Sequence, residues 1–168
     1  MVRPIVVLAV LLAAAWMGCA IGADSRSPML TYSGYGAVRF GMRLAEAESA
    51  LGEKSKPQDR DTANDPCRYV IFDKYAGVSF MLENDRIVRA DLDRPAINIL
   101  GLTFGMKLSY VREHYPQVIV QPGPDESHEL VFKSPGEAGE ILAIEWDGVV
   151  MGIRGGIMPA VGYVEGCL

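Results

Sequence analysis

Apolar and polar positions follow two rhythms along this chain, and the same order of rhythms occurs twice. After Gly41, the apolar residues Leu44, Ala47 and Leu51 fall at i, i+3 and i+7, which predicts a short amphipathic helix ended by Gly52. After Gly105, the residues Leu108, Val111 and Tyr115 repeat that stripe, and Pro116 stops it. The second rhythm has a period of two. CRYVIF from Cys67, VSFML from Val78 and RIVRADL from Arg86 read as strands. In the last of these, Val88, Ala90 and Leu92 alternate with Arg89 and Asp91, the pattern of a strand with one buried and one wet face. ELVF from Glu129, ILAIEW from Ile141 and VVMGIR from Val149 supply a second set, with Asp147-Gly148 as a two-residue hairpin turn.

The repetition extends to residue identity. Val38 to Leu51 reads VRFGMRLAEAESAL, and Leu102 to Tyr115, sixty-four residues later, reads LTFGMKLSYVREHY. The hairpin FMLENDRIV at Phe80 to Val88 is echoed by LAIEWDGVV at Leu142 to Val150, now offset by sixty-two. Two matched blocks in one order predict an α+β fold of two tandem repeats, each a short helix followed by an antiparallel meander of about three strands, sharing one sheet. The units are expected at residues 34–95 and 96–168, with Pro95 closing the first. A unit of this size is marginal alone, and two packed together bury a larger common core.

Ahead of the repeats, Arg3 precedes the uncharged run Ile5 to Ala23, after which Asp24, Ser25 and Arg26 turn polar. That is the layout of an export signal over residues 1–23, followed by a linker at 24–33. Ala20, Gly22 and Ala23 each offer a small residue for cleavage, with Ala23 preferred, and the cut removes Arg3 and takes the net charge from −5 to −6. Two rival readings are lipidation at Cys19, as in a bacterial lipoprotein, and an uncleaved anchor, since the run approaches the ~20 residues that span a bilayer. The expected location is the periplasm or the exterior, with an outer-membrane lipoprotein as the alternative and no membrane span in the mature form unless Cys19 is lipidated. With Cys19 cleaved or acylated, Cys67 and Cys167 are the two remaining cysteines, and an oxidising compartment favours joining them.

Charge and chemistry narrow the function classes. Sixteen Lys and Arg spread thinly against twenty-one Asp and Glu leave no basic stripe for a phosphate backbone, so nucleic acid is not an expected partner. Metal and catalytic motifs are equally thin. Asp59, Asp61 and Asp65 lack the glycine and the closing glutamate of a calcium loop. Asp125, Glu126, His128 and Glu129 have no fixed ligand spacing. GVVMGIRGG at Gly148 to Gly156 lies on a strand, where it cannot cradle a phosphate. His114 reads as a helix-end residue facing solvent and His128 as a solvated loop residue; a small hydrolase using either is the remote alternative. No catalytic residue, metal or cofactor is expected.

RFGMRLAEAESALG and CRYVIFDKYAGVSF, in the setting of a helix and a cysteine-bearing hairpin written twice, resemble the β-lactamase inhibitor protein family. The unit is also similar to the small outer-membrane lipoproteins of the SmpA/OmlA kind, which carry it once. The first resemblance implies that the hairpin loop carrying Asp73, with Lys74 and Tyr75 following, enters a target enzyme's active site. The carboxylate would accept hydrogen bonds and the tyrosine would add rigid contact area. The chain departs from that family in having Arg43 and Lys107 where a Ser or Thr follows Gly-Met, and in having no disulfide inside each unit. Tyr69, Tyr75, Met81 and Trp146 are expected near one another, which makes Tyr69 and Trp146 further candidates for partner contact. The sequence thus reads as an exported, non-enzymatic protein-binding module of the cell envelope, inhibitor-like if the resemblance extends to function, whose partner is an unidentified envelope or secreted protein. An outer-membrane assembly or structural lipoprotein is the alternative.

Overall fold

The computed structural model describes residues 27–167. The expected export signal at 1–23 and the candidate lipidation site Cys19 lie outside the described residues. The chain is α+β, mostly antiparallel sheet with two helices. Three two-residue strands, β1 (Leu30–Thr31), β2 (Gly34–Tyr35) and β3 (Val38–Arg39), form a small sheet at the start. The main sheet has eight strands: β4 (Lys56–Pro57), β5 (Cys67–Ile71), β6 (Val78–Glu83), β7 (Arg86–Leu92), β8 (Ile119–Pro122), β9 (His128–Lys133), β10 (Gly139–Trp146) and β11 (Val149–Ile157). Their spatial order is β4-β5-β6-β7-β11-β10-β9-β8, every pair antiparallel. Helix α1 (Leu44–Leu51) precedes β4, and α2 (Leu108–His114) precedes β8.

Each helix is aimed by the Phe-Gly-Met turn before it. Gly41 and Gly105 sit at φ 89° and 79°, a left-handed bend that a side chain would strain. Gly41 N–H donates to Ile87 O (2.7 Å) and Ile87 N–H returns the bond to Met42 O (2.8 Å). Gly105 and Val150 do the same through Met106 at 2.8 and 2.9 Å. Leu44 N–H then reaches Asp85 O and Leu108 N–H reaches Gly148 O, so the first turn of each helix is fastened to the hairpin turn of the strands that follow it. The two hairpin turns, Asn84-Asp85 and Asp147-Gly148, lie sixty-three residues apart, one more than the offset at which the sequence blocks were aligned. Both hairpins shift register at the same place, Met81/Leu82 and Ile144/Glu145, again sixty-three residues apart, so the offset of sixty-two read from the sequence is one residue out of register.

One face of the sheet carries the main core. Val70, Phe72, Phe80, Leu82, Ile87 and Ala90 in the first half, and Leu130, Phe132, Ile141, Ala143 and Val150 in the second, pack against Ala47, Leu51 and Val111 of the helices. Leu30, Tyr35 and Val38 of the small sheet complete it. Leu30 is fully buried and exchanges backbone bonds with Ile97 and Ile99, so the stretch expected as a linker at 24–33 is structured from that residue on.

The strand expectations need two corrections. Four strands, not three, follow each helix, because the edge strands β4 and β8 were not foreseen. Each of them carries a proline. Gln58 N–H points inward to Tyr69 O and Gly123 N–H inward to Ser127 O, so by alternation Pro57 and Pro122 occupy positions whose amide would face outward. The wet face expected for β7 is also wrong. Arg89 is 5% exposed and Asp91 half-buried, because the chain after β11 folds back over that side of the sheet. Ala160 packs on Met81 and Val88, and Val161 on Val131, Leu142 and Ile144. Cys67 and Cys167 are joined in a disulfide, with Cα atoms 5.4 Å apart, as the cysteine count suggested. Among the described residues no helix is long and apolar enough to cross a membrane.

Candidate functional site

The turn between β5 and β6 is built from the core outward. Phe72, the residue after β5, is almost fully buried, and Asp73–Tyr75 form a single 3-10 turn closed by Tyr75 N–H to Phe72 O (3.1 Å). Tyr75 points inward. Its ring meets Tyr35 edge-on at 5.1 Å between centroids, and its hydroxyl accepts the Ala37 N–H at 2.8 Å. Gly36 makes this approach possible, since a Cβ there would lie 2.3 Å from the Tyr75 hydroxyl oxygen. Tyr75 is therefore an anchor of the turn.

Asp73 and Lys74 face outward and are held from the side of α1. The Glu53 carboxylate accepts both of their backbone N–H groups, and the Lys74 ammonium donates to the carbonyl of Leu51 at the helix end. Lys56 of the edge strand β4 donates to both carboxylate oxygens of Asp73, at 2.6 and 2.8 Å, and that carboxylate holds the Lys56 ammonium above the usual lysine range. Both side chains of the pair are well exposed. Beside the turn runs a groove of about 410 Å³ lined by Gln58, Phe72, Asp73, Tyr75, Asp93 and Arg94. The result is a braced projection that presents the exposed Asp73–Lys56 ion pair to solvent, with the Lys74 ammonium turned to the helix end.

The other candidates do not join it. Tyr69 and Met81 are register partners on β5 and β6, on the sheet face opposite Tyr75. There the Tyr69 hydroxyl accepts from Arg89 (2.7 Å), and burial raises its pKa. Trp146, 52% exposed, ends β10 at the same end of the sheet as the Asp73 turn, three strands across, or roughly 14 Å at ordinary strand spacing.

No family model, curated protein or solved structure matches the chain.

Two arrangements escaped sequence reasoning. On the second sheet face, Arg89 Nε pairs with Asp91 (2.9 and 3.0 Å), while Arg154 donates to Glu129 (3.1 Å), whose other oxygen accepts from Gln121 (2.8 Å). Burial raises the Asp91 pKa against the attraction of Arg89, and burial with Arg89 nearby lowers that of Arg154. Arg154 Nε is buried with no partner among the described residues. The signal in the sequence was a single charge, Arg154, inside the glycine-rich apolar strand VVMGIRGG.

The second arrangement is a correction. His128 was expected as a solvated loop residue, but it lies on β9 with Nδ1 2.6 Å from the buried Glu145, which also accepts the Gly148 N–H of the hairpin turn. A carboxylate-oriented imidazole is half of a catalytic pair, and the neighbouring hydroxyl does not complete it: Ser127 is 3% exposed and donates to Pro124 O (2.6 Å). His114 is exposed at the end of α2, as expected, with Nδ1 3.0 Å from Tyr110 O and its ring stacked on Tyr110. Among the described residues no group of three or more His, Cys, Asp or Glu side chains is placed to hold a metal ion.

Proposed function

We propose that this protein is an exported, non-enzymatic protein-binding module of the cell envelope, made of two tandem helix-and-meander units in the manner of the β-lactamase inhibitor protein family. The duplication is supported by the paired Phe-Gly-Met turns, which make the same backbone bonds to the hairpins that follow them. Export is supported by the Cys67–Cys167 disulfide, a bond that persists in oxidising compartments. The observation that carries the reading is the β5–β6 turn, in which Glu53, Lys74 and Tyr75 immobilise a loop whose exposed Asp73 does no work for the core. A pre-ordered loop binds without paying the ordering entropy of a flexible one, and a fixed carboxylate fits a cationic pocket on a partner.

The test is capture from envelope extract by the mature protein, against an Asp73→Ala, Lys56→Ala variant, with Tyr75 left intact because its removal would disturb the core. A purified β-lactamase is the first defined partner to assay. A partner held by the wild type and lost by the variant supports the reading, and one held equally by both moves the site away from this turn. No partner at all, with unchanged β-lactamase activity, overturns the binding module.

A further inference from the structure

The chain after β11 is fastened to the sheet by two kinds of attachment that divide it in half. Over residues 159–163 the fastening is internal. Ala160 and Val161 are buried, and three guanidinium hydrogen bonds capture the backbone: Arg89 to Ala160 O (3.2 Å) and Tyr163 O (2.7 Å), and Arg154 to Tyr163 O (3.1 Å). Over residues 164–167 the attachment is covalent. Val164 and Glu165 are exposed, Gly166 lies against the Tyr69 hydroxyl, and Cys167 is joined to Cys67 of β5. Both cysteines are only half-buried, so a small thiol can reach them.

Beneath this cover lie groups that a sheet face turned to water would not bury together: Met81 (fully buried), Val88, and the Arg89 guanidinium in contact with Tyr69. The main core lies on the opposite face and has no part in the attachment.

We propose that segment 158–167 is a redox-latched cover, which thiol–disulfide exchange at Cys67–Cys167 releases from the sheet while the sheet stays folded. In the exchange, a thiolate of a dithiol reductant attacks one sulfur to form a mixed disulfide. Its second thiol then resolves the mixed disulfide, so Cys67 and Cys167 leave as thiols and the reductant becomes the disulfide. Once the outer half is free, the arginine contacts of the inner half lose their tether. The cover then opens, uncovering Tyr69, Met81 and the donors of Arg89.

Amide hydrogen exchange of the full mature chain, oxidised and after dithiothreitol, tests this, with a Cys67→Ser, Cys167→Ser variant as a second route to the unlatched state. The expected result in both is a rise of about tenfold or more in exchange at residues 160–167, with β6, β7, β10 and β11 keeping most of their protection. Unchanged protection of the cover would overturn the proposal, since the arginines alone would then hold it. Loss of protection throughout the sheet would overturn it equally, because the disulfide would then be a staple of the whole fold.

Discussion

The two faces of the eight-stranded sheet are buried differently, the helix face by apolar contact and the opposite face by smaller apolar clusters together with buried charge. On the helix face Phe72, Phe80, Leu82, Ile87, Leu130 and Phe132 are each at most 2% exposed, and what they touch is apolar. On the opposite face Arg89, Glu129 and Arg154 are buried to 5, 7 and 4% exposure, and they are tolerable there only because each finds an acceptor or donor in place. Apolar burial is non-directional and survives small shifts, whereas a buried guanidinium depends on every partner being where it is. The first face makes the fold; the second holds the C-terminal segment in one position.

Three measurements sharpen that contrast. The largest effect belongs to the apolar face: Phe80→Ala, which empties the meeting point of Phe72, Tyr35 and Tyr75, should cost about 4 kcal/mol in denaturant unfolding. A loss below ~1 kcal/mol would mean that this face collapses around the cavity. Next comes Arg89→Ala, which takes the guanidinium from Asp91 and from the Ala160 carbonyl, leaves Tyr163 O to Arg154 alone, and should cost about 3 kcal/mol. Unlike Phe80→Ala, it should also raise proteolysis within residues 158–167 before the sheet unfolds, and equal susceptibility of the two variants would erase the distinction between the faces.

The smallest effect is a pH dependence. Burial raises the Asp91 pKa in the folded state, so this group's contribution to stability is fully present below its unfolded value of about 3.9 and is lost as pH rises through the raised folded value. The stability of the wild type relative to Asp91→Asn should therefore be more favourable near pH 3 than near pH 7. A difference that runs the other way would mean that pairing with Arg89 outweighs burial.

The same contrast explains what could be read in advance. β7 was foreseen at its observed bounds, α1 and α2 ended at Gly52 and before Pro116, and the Asp147-Gly148 turn was foreseen, because each is written in local periodicity and turn chemistry. The disulfide was legible by elimination. The edge strands were not, since two residues such as Lys56–Pro57 hold no period, and neither was the cover, whose residues 158–167 carry no repeat and are placed by distant partners, the arginines on β7 and β11 together with Cys67 of β5. At the candidate site Asp73 was legible as an exposed turn residue. The inward Tyr75 was not, because its partners Tyr35 and Ala37 come from a segment some forty residues earlier.

The two edge prolines limit how this molecule meets its own kind. An eight-stranded sheet whose outer strands offered complete ladders would be a template for stacking copies into a continuous ribbon, the first step toward fibres. A strand arriving at β4 or β8 meets Pro57 or Pro122 where it needs a donor, and at β4 only two residues stand in line. Neither edge therefore offers an unbroken backbone ladder to a second copy of the sheet.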